Sequence, residues 1–190
     1  MRKLLTALVL VCMTLTSCSK STSEDIYMVN YEAYTRSLAE ATKFVPMSRY
    51  YSVSGAMSEL PDGTYRYYVV VDEPKIAMID VVVLAVENGM EYTSGGKMMP
   101  SSGIWGDPVS MIPNQINKEN GFVKGIMLNG ECSTDHVDLK LLVEWKDRSR
   151  KEVTREFIEL SLSMEDNEIL PDEETAPEEY SGEDTESGGE

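Results

Sequence analysis

The chain contains a single histidine, His136, and that fact removes most zinc sites and proton relays built on several imidazoles. His136 stands beside Asp135 and near Asp138, but a Ser-His-Asp triad needs a framed serine, and no Gly-x-Ser-x-Gly motif occurs. Cys132 lies four residues before His136. That spacing puts both in one loop, whereas a nucleophilic Cys-His pair is normally assembled from distant segments. The reading is therefore a surface-loop histidine and an unpaired, inert thiol. Gly95-Gly96-Lys97 lacks the first glycine of a phosphate loop, and Met98 follows the lysine where Ser or Thr is required. No EF-hand loop is present. Paired carboxylates of the kind that hydrolyse glycosides leave no local signature, so that chemistry stays open. Residue types and spacings point to no catalytic residue, metal ligand or cofactor. The remaining candidates are apolar: Met98, Met99, Ile104 and Trp105 form a lip on a glycine-rich loop, a composition suited to adaptable partner recognition. The alternative is that Trp105 closes one end of the core.

Charge separates the two ends of the chain. The net charge is −16, and residues 165–190 hold twelve Asp and Glu with no Lys or Arg, which leaves −4 for everything before them. No basic stripe exists to meet phosphates, so nucleic acid is not an expected partner. The acidic stretch has too few apolar residues to offset the entropy of ordering and is expected to be a disordered, solvating tail.

The beginning of the chain carries the opposite pattern. Met1-Arg2-Lys3 is basic, Leu4 to Met13 is apolar apart from Thr6, and the segment ends Leu15-Thr16-Ser17-Cys18. The apolar run is too short to span a bilayer and has the form of an export signal. Together these residues resemble the signal peptide and lipobox of bacterial lipoprotein precursors, in which Leu and two small residues precede a cysteine. The resemblance covers about the first twenty residues and implies three things: cleavage before Cys18, a diacylglyceryl group on the Cys18 sulfur, and attachment to the extracytoplasmic side of a cell membrane. Cys12 leaves with the leader, so Cys132 has no partner in the mature chain. The expected organisation is a signal peptide over 1–17, lipidated cysteine and tether over 18–25, a β-rich domain over 26–164 and the tail over 165–190.

Within the domain, Tyr27, Tyr31, Tyr34, Leu38 and Ala41 repeat at helical spacing and predict one amphipathic helix, capped by Thr22 or Ser23 and stopped near Lys43 by Pro46. The three tyrosines on one face read as packing onto a sheet. Thereafter the period is two. Pro61-Asp62-Gly63 joins two Tyr- and Val-rich arms as a hairpin. Lys75 to Asn88, with Ile79 and Val81-Val82-Val83, reads as a strand buried on both faces. A short strand is expected around Val109 to Ile112, and another over Gly121 to Asn129. Val137 to Lys146 alternates, and after an Asp147-Arg148-Ser149 turn Glu152 to Ser163 alternates again through Val153, Phe157, Leu160 and Leu162, with a phase shift read as a bulge. The fold class expected is mainly β: an antiparallel sandwich or curled sheet with an N-terminal helix packed on it.

Three functional classes follow. The first is a non-enzymatic binding module for an extracytoplasmic protein or glycan. The second is a carboxylate-based hydrolase of envelope glycan or peptide. The third is a structural envelope protein with a large self-associating surface.

Overall fold

The computed structural model describes residues 23–87 and 97–165. The leader, the lipobox with Cys18, the tether up to residue 22 and the acidic tail beyond Glu165 lie outside the described residues. So do Gly95 and Gly96.

The described domain has three layers. A smaller antiparallel sheet is made of β1 (Ser52–Glu59), β2 (Tyr65–Asp72) and β6 (Gly125–Cys132), in the order β1-β2-β6. A larger one is ordered β4-β3-β7-β8, from β3 (Met78–Glu87), β4 (Ser101–Ser102), β7 (His136–Lys146) and β8 (Val153–Ser163). Its remaining strand, β5 (Val109–Met111), pairs with β3 beside β4. The two sheets form a sandwich, as the alternation in the sequence predicts. The single α-helix among the described residues, α1 (Ser23–Ala39), covers the outer face of the larger sheet.

Strand β3 explains why three layers are needed. Val81, Val83 and Ala85 face the smaller sheet, and Val82 and Leu84 face the helix. An apolar strand with two dry faces has to be covered on both. Near its start the register slips between Ile79 and Val82 against β7, and between Met78 and Val81 against β5. Asp80 sits at this bulge with φ +51, a left-handed conformation that Asp adopts more readily than most residues. The Asp80 carboxylate is held by Lys146 at 3.1 Å and Arg150 at 3.4 Å. The extra residue puts Met78 and Val81 into the same fully buried core although they are three apart.

The phase shift expected as a bulge in β8 is something else. β7 and β8 pair without a slip from His136↔Ser163 to Lys146↔Val153. Ile158 and Leu162 point into the sandwich, whereas Phe157 points to the other side. There it packs with Leu142 and meets Phe44 edge-on at 6.2 Å. Phe157 breaks the alternation because it serves a second core.

That second core seats α1. Tyr31 and Leu38 are buried, Thr35 is buried beside them, and Tyr34 is half-buried, which matches the expected stripe. Each fully buried side chain of this size contributes roughly 1.5–3 kcal/mol. Three polar ties fix the helix's angle on the sheet. The Tyr34 hydroxyl donates to Glu144 Oε1 at 2.8 Å, Arg155 Nη1 donates to Ser37 Oγ at 2.7 Å, and the Tyr31 hydroxyl accepts from the Met99 backbone N–H at 2.7 Å. Arg155 also forks onto Glu144. Gly103 lets the neighbouring loop lie flat on β3: it has φ +78, and a Cβ there would stand 2.5 Å from the Val81 carbonyl oxygen.

Burial, then the Glu144 carboxylate, pushes the Tyr34 phenol up to about 12. The unfolded phenol titrates near its ordinary value of about 10. Between these values the unfolded chain loses its proton while the folded chain keeps it, so stability falls as pH rises from about 10 toward 12 and is fully present below. Denaturant titrations across that window are expected to show this decline, and Tyr34→Phe is expected to show less of it. A second expectation concerns the sandwich. Leu141→Ala, at a fully buried position of β7, should cost about 2–5 kcal/mol, read as a lower denaturation midpoint at unchanged slope.

Candidate functional site

The two sheets part at the end of the sandwich where β2 begins and β6 ends. Tyr67 of β2 lies in the sandwich core, and its ring passes directly over Gly130 of β6. A Cβ at residue 130 would stand 2.2 Å from the Tyr67 hydroxyl oxygen, so only glycine leaves the ring its place. The ring spans toward the larger sheet, where the Tyr67 hydroxyl donates to Glu87 Oε1 at 3.3 Å, at the last residue of β3. Burial and then the Glu87 carboxylate raise the Tyr67 phenol well above its ordinary range, so it remains a donor. Lys97 closes the arrangement. Its ammonium pairs with Glu87 and donates to the Glu131 backbone carbonyl at 2.6 Å. Small sheet, large sheet and loop are thus joined by one chain of polar contacts.

Over Glu87 and Lys97 opens a cleft of about 590 Å³, which the fully buried Tyr67 does not itself line. Asp62 and Thr64 of the β1–β2 turn line one side, Glu131 to Thr134 another, and His136 and Asp138 the start of β7. The sequence-adjacent pair Cys132 and His136 therefore shares a cleft, but each group is engaged elsewhere. The Cys132 thiol donates to the Thr134 carbonyl at 3.2 Å, and His136 Nδ1 lies 3.1 Å from Asp135 Oδ1. His136 is exposed but is the first residue of β7 and not a loop residue, and Cys132, the last residue of β6, is a half-buried free thiol.

The carboxylates of the cleft are committed in the same way. Asp62 Oδ1 accepts from the Thr64 hydroxyl at 2.6 Å and the Thr64 N–H at 3.0 Å, and the hydroxyl bond is the main reason its carboxyl is held below the usual range. Glu131 pairs with Arg66 at 2.6 Å. Asp138 Oδ1 accepts from the Ser161 hydroxyl at 2.6 Å. A general acid has to keep its proton near neutral pH, and Asp62 is biased the other way. The carboxyl that burial raises is Asp72, at the opposite end of β2. Among the described residues, no group of three or more His, Cys, Asp or Glu is arranged to hold a metal ion.

The apolar lip singled out in the sequence divides into two parts. Met99 and Ile104 are buried beneath α1 and belong to the core there. Met98 and Trp105 remain exposed, at 48% and 39%. Trp105 does not close an end of the sandwich. Its ring leans on Tyr31 at 5.5 Å and Tyr27 at 6.4 Å, on the helix side of the larger sheet. The cleft has no local signature in the sequence, because strand pairing brings Tyr67, Glu87 and Glu131 together from distant segments.

No family model, curated protein or solved structure matches this chain.

Two substitutions test the floor of the cleft. Gly130→Ala should displace the Tyr67 ring and destabilise the domain by about 1–3 kcal/mol in denaturant unfolding, the usual range for forcing extra volume into a packed core. Lys97→Met leaves the largely covered Glu87 without its cation, at a cost of about 1–2 kcal/mol because the lysine itself is partly solvated. Lys97→Met combined with Glu87→Gln should recover part of that loss, measured as a double-mutant cycle.

Proposed function

We propose that the chain is a bacterial lipoprotein whose sandwich domain acts as a non-enzymatic binding module on the extracytoplasmic side of a cell membrane. The observation that carries this reading is the lipobox Leu15-Thr16-Ser17-Cys18 behind a basic and apolar leader. Two acyl chains on Cys18 anchor stably, whereas one anchors marginally, at about 0.8 kcal/mol per buried methylene. The anchor therefore needs no basic surface, which agrees with a net charge of −16. No helix among the described residues is long and apolar enough to cross a membrane. The lipid thus supplies the attachment in this proposal.

The cleft above Tyr67, Glu87 and Lys97 is the binding surface we favour, for an envelope protein or glycan rich in hydrogen-bonding groups. Its size suits a few sugar residues or a short peptide segment. Hydrolysis by paired carboxylates is the competing reading. Its support is weaker, because Asp62, Glu87, Glu131 and Asp138 are each engaged by a neighbouring side chain.

Mass spectrometry of the native product is expected to find Cys18 as a diacylglyceryl-modified N-terminus, and an intact leader or free thiol there would defeat the lipoprotein reading. A photo-crosslinker placed at Thr134 on intact cells should yield a discrete adduct that Lys97→Glu abolishes. An adduct unchanged by Lys97→Glu, or none, would remove the cleft from the proposal.

A further inference from the structure

The exposed large apolar side chains of the described residues are unevenly placed. Ten are exposed, and five of them, Ile26, Met28, Val29, Met98 and Trp105, lie on the first half of α1 or on the loop segment packed beside it. The other five belong to separate segments. On a helix turning about 100° per residue, Ile26, Val29 and Ala33 fall on one line, opposite the buried Tyr31 and Leu38. The same line continues with the exposed Arg36, so only the N-terminal half of this outward face is apolar. Trp105 extends it sideways. Its ring rests on Tyr27 and Tyr31 and still leaves 39% of the residue open.

The length of chain ahead of the helix indicates what covers this cap. Four residues separate Cys18 from Ser23, where α1 begins. Fully extended, they allow the two backbones to stand at most about 18 Å apart. The first turns of α1 are therefore the part of the domain that a lipid on Cys18 keeps closest to the bilayer. Trp and Tyr rings favour the boundary between headgroups and acyl chains, and aliphatic neighbours add apolar area that needs no anionic lipid. We infer that the Ile26, Val29, Met98 and Trp105 cap rests in the interface of the membrane that carries the Cys18 lipid. In this arrangement the domain has a fixed orientation and is not a freely swinging head. The inference depends on the lipoprotein reading proposed above.

The test uses the full, lipid-modified protein in phosphatidylcholine vesicles made with and without bromine on the upper acyl chain. Trp105 and Trp145 are the two tryptophans. Trp145 is 2% exposed within the sandwich and serves as the internal control. Brominated lipid is expected to quench part of the emission, Trp105→Phe to abolish that loss, and the exposed pair Ile26→Ser with Val29→Ser to reduce it while the circular dichroism stays unchanged. Protein that floats with the vesicles but emits equally in both lipids would overturn the orientation and leave the anchor standing. The same result together with a dimer in detergent would give the cap to a second copy and overturn it equally. Protein that does not float with the vesicles would overturn the anchor and the orientation together.

Discussion

The architecture depends on one strand that has no wet face. β3 is buried and apolar at odd and even positions alike from Val81 to Ala85, and at Met78 and Ile79 before the Asp80 bulge. One set of its side chains has to meet the smaller sheet, and the other needs a cover that a two-layer sandwich lacks. α1 and the Met99–Ile104 segment supply that cover. Neighbouring strands follow the same division. β7 sends Leu139, Leu141 and Val143 inward and Leu142 outward, and β8 sends Ile158 inward and Phe157 outward. The bulge at Asp80 belongs to the same constraint, since it brings Met78 into phase with Val81 in the inner core.

The cleft is a consequence of how the two layers separate at one end. Most of the sandwich is closed by apolar contact. At the Tyr67 end the contact becomes polar, with a phenol from one sheet meeting a carboxylate from the other and a lysine neutralising it. Such a group has to be satisfied completely, because a half-buried carboxylate without partners is costly. Once satisfied it leaves a wet, mixed-charge floor at a place where an all-apolar core would have sealed. Rigid polar groups at the open end of a rigid scaffold are the usual form of a recognition surface.

Much of this fold was legible in the residues. The helix stripe through Tyr31 and Leu38, the hairpin at Pro61-Asp62-Gly63, the doubly buried Ile79–Val83 run and the β7–β8 hairpin all follow from period and turn chemistry. Other features leave no local mark. The phase shift in β8 is not a slipped register, because one alternation cannot announce a second core on the reverse face, where Phe157 packs. The bulge at Asp80 has no sequence signal, because an aspartate inside an apolar run carries no mark of its φ. The Trp105 lip is not one unit: Met99 and Ile104 are needed under the helix, and Met98 and Trp105 stay outside. Tyr67 meets Glu87, Lys97 meets Glu131 and Tyr67 meets Gly130 across 20, 34 and 63 positions, distances over which no local pattern extends.

The seat of α1 has a mechanical side. The helix is the first element of the described chain, and it lies on the sheet through a small apolar patch and a handful of polar ties, among them Tyr34 to Glu144 and Arg155 to Ser37. The strands beneath are laced together by long antiparallel ladders. A pull applied at the N-terminal end is borne first by the helix, which can peel away one turn at a time while the ladders stay zipped. Tension would first lift Tyr31 and Leu38 from Leu84 and Leu142, well before it parted the sandwich, so the domain carries its own fuse.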